Sequence, residues 1–347
     1  MKILYIGEVS GGSTNLMQVA ALRRLGHEVV TVDMFGDLAH YGRVGKALHF
    51  AFSSGPAVTR FNRAVFDRVE EVRPNLIWVS KGVWLRRSTI RETRRRVGSD
   101  AFWVHYNPDD PFGGYRKGWR TFLKALPLYD AHVVSRDQNV AELRALTKAR
   151  VLRMEWAFDP AVHRPYQLTT EEMAALGGPV GFIGTFETAR ANSIMFLARN
   201  GVGVRVWGEG WARWQGRHQN VRIENRAVWA ADYARCVASF DINLGFLRKG
   251  NRDQSTQRSM EVPACRGFLL AERTAEHQRL FSEGKELELF GDDEELLGKT
   301  LYYLANPEAR RAVAAAAYRR SISSGYTYFD RLGRVLEQLG LPTPERV

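Results

Sequence analysis

Two charged side chains near residue 260 have types and a spacing that suit nucleotide binding. Arg258 and Glu261 are three residues apart, so both project from one side of a helix that Ser255 or Thr256 would cap. An arginine can clamp a diphosphate, and a carboxylate can accept hydrogen bonds from both hydroxyls of a ribose. A surface ion pair at the start of a helix explains Arg258 and Glu261 equally well.

The adjacent acids Asp109 and Asp110 form a second candidate group. They follow the predicted strand 102–105 in the sequence Asn-Pro-Asp-Asp-Pro, whose two prolines restrict the backbone. Ligands of open α/β sheets bind at the carboxyl ends of the strands, so this position favours a functional role for the two acids. A plain turn explains the same residues almost as well.

The loop after the first predicted strand contains Gly11 and Gly12, which are also predicted nucleotide contacts. Strand 2–6, this loop, a helix and strand 28–32 form a βαβ unit. The loop lacks the Gly-x-Gly-x-x-Gly fingerprint of dinucleotide-binding proteins. The two glycines would let a ligand approach the backbone closely, and a simple tight turn would use them equally well.

Short apolar strands and amphipathic helices alternate along most of the chain, which is typical of parallel sheets covered by helices. The alternation stops near residue 156 and restarts after Gly177-Gly178-Pro179. A length of 347 residues also favours two domains over one. The predicted fold class is therefore α/β, with two doubly wound parallel-sheet, Rossmann-like domains.

The sequence Arg-Ser-Met-Glu-Val-Pro-Ala-Cys-Arg-Gly-Phe-Leu-Leu, which starts at Arg258, resembles a known signature. The signature is Arg-Thr-Phe-Glu-Ile-Pro-Ala-Cys-Gly-Gly-Phe-Leu-Leu of the CgeB-like (spore maturation protein type) glycosyltransferases, which are similar to the wider GT-B superfamily. The resemblance is strong over the C-terminal half and looser over the N-terminal half, where an Asp-Asp-Pro follows the equivalent strand. It implies transfer of a sugar from a nucleotide-activated donor to an acceptor hydroxyl.

The resemblance also implies roles for single residues. Two acids eight residues apart, here Asp253 and Glu261, would hold the donor sugar and its ribose, although Asp253 stands where a glutamate is usual. Asp109 or Asp110 would orient or deprotonate the acceptor if the chemistry inverts, and whether it inverts or retains stays open. The remaining implied donor contacts are Gly184 and Thr185 after the first strand of the donor domain, Arg190 and Arg258 at the phosphates, and Asn225 and Arg226 beside the base.

A GT-B protein has two Rossmann-like domains that face a cleft, and the expected boundaries follow from that likeness. Residues 1–165 would form the acceptor-side domain and residues 166–325 the nucleotide-sugar-binding domain. Residues 326–347 would form a C-terminal helix that crosses back to the first domain. Trp207, Trp211 and Trp214 could stack on the base, but most tryptophans with such a spacing fill the core.

The formal charge of +12 suits an anionic partner. An arginine-rich composition or a peripheral contact with an anionic membrane would each explain it, and no nucleic-acid-binding motif accompanies it. The two cysteines, Cys236 and Cys265, lack metal-ligand spacing and are too few for a disulfide framework, which favours a reducing, cytoplasmic location. No apolar run approaches the roughly 20 residues that span a bilayer.

Several alternatives remain open. The nucleotide sugar would be UDP- or GDP-linked, and the acceptor a sugar, a lipid-linked molecule or a protein. No cofactor and no metal are predicted, since the chain contains no Asp-x-Asp and its Asp-Asp pairs lack a convincing third ligand. The alternative functions are a nucleotide-sugar epimerase or hydrolase on the same fold, and a catalytically silent binder of sugar nucleotides.

Overall fold

Two six-stranded parallel sheets form the framework of the protein. A computed structural model describes residues 1–97, 101–114 and 118–343. Helices cover both sides of each sheet, so the predicted α/β fold class is confirmed. The last four residues of the predicted segment 326–347 lie outside the described residues.

The first compact unit comprises residues 1–155, 249–252 and 328–347. Its strands are ordered β2-β1-β3-β4-β5-β6, and every neighbouring pair is parallel. The strands are Lys2–Gly7 (β1), Glu28–Asp33 (β2), Leu76–Ser80 (β3), Phe102–Asn107 (β4), Ala131–Val134 (β5) and Arg150–Arg153 (β6).

Helices pack on both sides of the first sheet, so its central strands have no side exposed to water. All five residues of β3 are buried, which is typical of a parallel strand between two helical layers. The helices of this unit are Thr14–Arg24 (α1), Arg43–Phe52 (α2), Pro56–Val72 (α3), Arg87–Val97 (α4), Arg120–Ala125 (α5), Asp137–Leu146 (α6) and, from the C-terminal end of the chain, Tyr328–Leu339 (α14).

Helix α14 packs against α1. Its buried residues, such as Leu332 and Leu336, repeat at helical spacing, and Arg331 forms an ion pair with Glu155. The C-terminal helix is therefore an integral part of the first unit, although it is separated from the rest of that unit in sequence.

The second unit comprises residues 156–248 and 253–327. Its strand order is β12-β11-β10-β7-β8-β9, again with parallel neighbours. The strands are Gly178–Ile183 (β7), Val204–Trp207 (β8), Val221–Ile223 (β9), Phe240–Gly245 (β10), Leu269–Glu272 (β11) and Glu288–Phe290 (β12).

Two apolar clusters, one on each side of the second sheet, form the core of this unit. Within the described residues, no helix of either unit combines the length and the apolar composition that crossing a bilayer requires. The helices of the second unit are Thr170–Leu176 (α7), Thr188–Arg199 (α8), Ala230–Ser239 (α9), Arg258–Ala264 (α10), Ala275–Leu280 (α11), Asp293–Ala305 (α12) and Pro307–Ser323 (α13).

Helix α10 starts later than its sequence suggests. Gln257, not Ser255 or Thr256, occupies the N-cap position, and no side chain there accepts a hydrogen bond from the helix. The Thr256 N–H instead donates to Ser259 Oγ at 3.0 Å. The prediction of a Ser or Thr cap was wrong because Ser255 donates its hydroxyl to the buried Glu276 carboxylate, at 2.8 Å, and is not available to the helix.

Candidate functional site

The order in which the chain adds strands to the second sheet reverses between β7 and β10. The chain runs outward from β7 through β8 to β9, and then returns to place β10 on the other side of β7. At such a point the loops after the two central strands separate, and the gap at their carboxyl ends is where open α/β sheets bind ligands. Here those loops start at Gly184, after β7, and at Phe246, after β10.

A close approach of two backbone segments holds the Gly184 loop in place. The Gly184 N–H donates to Trp207 O at 2.8 Å, and its carbonyl accepts from Trp211 Nε1 at 2.9 Å. Gly208 has φ +146°, and a Cβ there would lie 2.0 Å from Gly184 O. Only glycine therefore fits at position 208, and the loop containing the predicted contacts Gly184 and Thr185 is fixed by packing.

Three arginines surround this loop. Arg190, in the first turn of α8, donates to Thr185 O at 3.1 Å, and Arg258, at the start of α10, donates to Ile183 O at 2.6 Å. Arg248, which follows β10, donates to Glu187 Oε1 at 2.8 Å. The structure thus brings together the two predicted phosphate arginines and adds Arg248, which the sequence analysis did not single out.

Arg190 is the most buried of these cations, with 6% of its surface exposed. Burial lowers the pKa of its guanidinium from the usual value; the Glu187 carboxylate opposes that shift, whereas the charges of Arg258 and Arg248 add to it. Its buried Nε has no hydrogen-bond partner within the described residues. A cation that is both desolvated and crowded by like charges gains free energy when an anion binds beside it.

Glu261 lies almost fully buried in α10, with 4% exposure. Its Oε1 is 3.3 Å from Nε2 of His163, and Nδ1 of His163 accepts the Asp159 N–H at 3.2 Å. The bond from the Asp159 N–H fixes the orientation of the His163 ring, so Nε2 faces the Glu261 carboxylate. His163 is therefore a close neighbour of the predicted ribose-binding carboxylate.

Tyr233 lies near the buried Glu261. Its ring meets His163 edge to face at 5.8 Å between centroids, and Arg258 lies 5.8 Å over the same ring. Burial raises the pKa of Tyr233 well above its usual range, and the nearby Glu261 charge raises it further. Tyr233 thus stays neutral, and its ring contacts both His163 and Arg258.

Asp253 also belongs to this neighbourhood. Its N–H donates to Arg248 O at 3.4 Å, and its negative charge acts on Arg190. The residue is buried, with 7% exposure. Asp253 therefore lies near the arginine cluster, whereas its predicted contact with the donor sugar stays a prediction.

Asn225 and Arg226 lie farther along the same sheet edge, after β9. Asn225 has φ +47°, a conformation that asparagine tolerates better than most residues. Arg226 accepts the Gly208 N–H at 2.9 Å through its carbonyl, and its guanidinium lies 4.8 Å over the Trp207 ring. Trp207 itself is buried in the core, as is Trp211. These two tryptophans therefore fill the core, so neither offers a ring face for base stacking.

The adjacent acids of the first unit occupy different environments. Asp110 is fully buried, and its carboxylate accepts hydrogen bonds from Asn139 Nδ2 at 2.8 Å, from the Phe112 N–H at 2.9 Å and from Arg252 at 2.5 and 2.9 Å. Burial alone would raise the pKa of Asp110, but the hydrogen bonds from Arg252 and Asn139 hold it below its usual value. Arg252 also binds Glu142 at 2.9 Å.

Asp109 is more accessible than Asp110. Its Oδ2 is 2.8 Å from Lys81 Nζ, and 28% of its side chain is exposed. Lys81 follows β3 and Asp109 follows β4, so the pair lies at the carboxyl edge of the first sheet. This position allows a carboxylate to contact a ligand, whereas the buried Asp110 has its lone pairs occupied by protein donors.

Gly11 and Gly12 form part of a tight turn. The Ser13 N–H donates to Ser10 O at 3.2 Å, and Gly12 has φ +88°. Ser13 then caps α1 by accepting the Asn15 N–H. A Cβ on Gly11 would meet no atom within 4 Å, so packing does not require glycine there. The turn accounts for Gly12, and the predicted ligand contact of both residues stays a prediction.

Sequence reasoning missed His163 and Arg248 because each is defined by its partner in space. His163 lies in a segment without periodicity, 98 positions before Glu261 in the numbering, and Arg248 lies between a strand and a loop.

Within the described residues, no three His, Cys, Asp or Glu side chains are grouped so that they could hold a metal ion.

Residues 190–337 match a family model described as "Glycosyl transferase-like". This region contains most of α8, all of α10 and the arginine cluster, and it makes up less than half of the chain. No curated protein sequence matches the chain.

Solved structures match nearly the whole chain in fold. Sucrose-phosphate synthase from Thermosynechococcus elongatus has a TM-score of 0.72 and 14% identity, covering 98% of this chain and 99% of that one. Anabaena HepE in complex with UDP-glucose has a TM-score of 0.65 and 14% identity, covering 98% and 99%. A putative UDP-N-acetylglucosamine 2-epimerase from Listeria monocytogenes has a TM-score of 0.57 and 13% identity, covering 100% and 99%. The chain thus has the fold of the GT-B glycosyltransferase superfamily, and its residues 190–337 are glycosyl transferase-like in sequence.

Proposed function

We propose that this protein is a glycosyltransferase that binds a UDP- or GDP-linked sugar in its second unit and transfers the sugar to an acceptor hydroxyl. The observation that carries the proposal is the cluster of Arg190, Arg248 and Arg258 around the Gly184–Thr185 loop, at the switch point of the second sheet. The glycosyl transferase-like match of residues 190–337 and the UDP-glucose complex of the structural neighbour HepE support the same assignment.

The arginines would stabilise the leaving group. In the reaction, the bond between the anomeric carbon and the diphosphate oxygen breaks, and a bond from that carbon to the acceptor oxygen forms. Negative charge develops on the diphosphate, and prearranged cations in a desolvated site lower the free energy of that state. Arg190 suits this role because it is buried and has an unused Nε donor.

The other predicted residues would position the donor and the acceptor. Glu261, oriented by His163, would accept the ribose hydroxyls, and Asp253 would hold the donor sugar. In the first unit, Asp109 would orient the acceptor hydroxyl or remove its proton, because it is exposed at the carboxyl edge of the sheet. Asn225 and Arg226 are proposed to flank the base. We also propose that the protein is a CgeB-like glycosyltransferase.

A panel of UDP- and GDP-linked sugars, incubated with and without sugar, lipid-linked and protein acceptors, tests the proposal. Release of nucleotide that depends on an acceptor supports a glycosyltransferase. Release or isomerisation without an acceptor would point to a hydrolase or an epimerase instead. Nucleotide binding without turnover on any acceptor would mean a silent binding protein, and the lack of any nucleotide binding would overturn the site itself.

A further inference from the structure

Helix α2 exposes an unusual amount of apolar surface. Of the large apolar residues that are exposed in the described part of the chain, four lie on this ten-residue helix: Val44, Leu48, Phe50 and Phe52. Their exposed fractions are 74%, 52%, 47% and 70%. An exposed apolar cluster of this kind marks an interaction surface.

Three of the four exposed residues form one stripe. Val44, Leu48 and Phe52 are four residues apart, so they follow one side of the helix over about 12 Å. The opposite side anchors α2, since buried His49 bonds to Gly45 O at 2.7 Å and accepts the Ala57 N–H at 3.4 Å. Phe50 packs on Phe35 and Trp84, at 5.3 and 5.4 Å between ring centroids. The contacts of His49 and Phe50 therefore hold the helix in place with the stripe facing outward.

A cationic cavity adjoins the C-terminal end of the stripe. It has a volume of about 410 Å³, and Phe52 contributes to its wall. No acidic residue lines it among the residues that the structure describes. The cations that line it, from the segment before α4, the start of α4, and α5, are Arg86, Arg87, Arg120 and Lys124.

We propose that α2 and this cavity dock the protein on an anionic lipid bilayer. Val44, Leu48 and Phe52 would enter the boundary between headgroups and acyl chains, and the cavity would bind a lipid phosphate. An apolar helical stripe beside several cations matches both layers of such a surface, which is apolar inside and negatively charged outside. Arg43 and Lys46, on α2 itself, extend the cationic rim, and the net charge of +12 favours the approach.

Sedimentation with vesicles tests this inference. The probe is phosphatidylcholine vesicles with or without phosphatidylglycerol, at low and high salt. The wild-type chain should bind the anionic vesicles, bind the neutral ones weakly, and dissociate as salt rises. The double variant Leu48→Ser with Phe52→Ser, and the double variant Arg87→Glu with Arg120→Glu, should each weaken binding by roughly tenfold or more.

Matched controls come from exposed residues of the second unit. Leu301→Ser with Ile322→Ser removes apolar surface of similar exposure, and Arg213→Glu with Arg319→Glu makes the same change in net charge. Both controls should bind within about twofold of wild type, because neither pair borders α2 or its cavity. Melting temperatures of all variants should stay near that of wild type, since the changed side chains are exposed.

Three results would overturn the inference. They are equal binding of all variants, failure of the wild-type chain to bind anionic vesicles, and a concentration-dependent dimer that Leu48→Ser with Phe52→Ser abolishes. The last result would mean that a second copy of the chain covers α2. The vesicle assay needs no sugar transfer, so its outcome is independent of the test with nucleotide sugars.

Discussion

At the scale of single residues, His163 lies 3.3 Å from Glu261 and is expected to position it. Glu261→Ala should weaken nucleotide binding by about 10- to 150-fold, because a charged acceptor contributes roughly 1.5–3 kcal/mol. His163→Ala should weaken binding by only about 2- to 12-fold, because it removes one polar neighbour that acts only through Glu261. The double variant should bind like Glu261→Ala alone. Calorimetry with UDP and GDP measures all three.

Glu337→Ala, an exposed acid of α14, is the control and should bind normally. If the effects of Glu261→Ala and His163→Ala simply add, His163 contacts the nucleotide or acts on the fold, and its positioning role is wrong. Unchanged affinity in Glu261→Ala would remove that residue from the site.

Asp109→Asn tests the acceptor-side base. The substitution keeps the size of the side chain and the hydrogen bond to Lys81, so stability and nucleotide affinity should stay normal. Turnover should fall by the roughly 10²–10⁴-fold that is typical of a lost acid–base group. The measurement is steady-state kinetics with a saturating donor. A smaller loss with poorer acceptor saturation would mean that Asp109 only positions the acceptor, and full activity would show that it has no role.

Asp110→Asn should lower stability, because Asp110 is buried and holds Arg252 and Asn139. The cost should be about 1–3 kcal/mol, the penalty of removing one partner of a charged hydrogen bond. The pKa of Asp110 is lowered in the folded chain, so its contribution is present above the unfolded value of about 4 and is lost as pH falls through the folded value.

The measurement for Asp110→Asn is the difference in melting temperature from wild type as a function of pH. The difference should be large near neutrality and should shrink below about pH 4. A variant that melts like wild type at neutral pH would contradict the structural role of Asp110.

At the scale of elements, the end of α10 carries a stability prediction. Cys265 is the C-cap, the Arg266 N–H donates to Pro263 O, and the Gly267 N–H donates to Val262 O, which is a Schellman motif. Arg266 has φ +60° at the position that glycine favours. A left-handed backbone conformation costs about 1–2 kcal/mol for residues other than glycine. Glycine instead loses about 0.5–1 kcal/mol of conformational entropy on folding, so Arg266→Gly should stabilise the folded chain by about 0.5–1 kcal/mol.

Thermal unfolding checks Arg266→Gly. Arg319→Gly, within α13, is the matched control and should destabilise by about 1 kcal/mol, because glycine there lies in a helix. A lower melting temperature for Arg266→Gly would show that the arginine side chain contributes more than the backbone strain costs.

Elements with a clear period were predictable to within a few residues. The predicted strands 2–6 and 28–32 agree with β1 and β2 to within one residue, because their apolar residues have the spacing expected of strands. Helix α2 was not predicted. Its apolar residues Val44, Leu48 and Phe52 fall on one side at helical spacing, but that side is exposed in the structure, so the pattern does not mark a buried face.

At the scale of the whole molecule, the arginine cluster leads to a prediction about metal. The side chains of Arg190, Arg248 and Arg258 can neutralise a diphosphate without a metal ion. Sugar transfer should therefore keep most of its rate in excess EDTA. Loss of turnover that only magnesium or manganese restores would contradict this. Turnover by Arg190→Gln, measured with and without magnesium, is the matched comparison, and it should be low in both.

The sequence alone determined the two α/β repeats, since the alternation of apolar strands and helices depends only on local spacing. It also predicted Arg190, Arg258 and Glu261 as one group, and whether they bind a nucleotide still awaits calorimetry. Only the tertiary structure decided that His163 lies beside Glu261, that Arg248 joins the arginines and that Asp110 is buried while Asp109 is accessible. Each of these depends on partners distant in sequence, and a burial or a hydrogen bond between such partners exists only after the chain has folded.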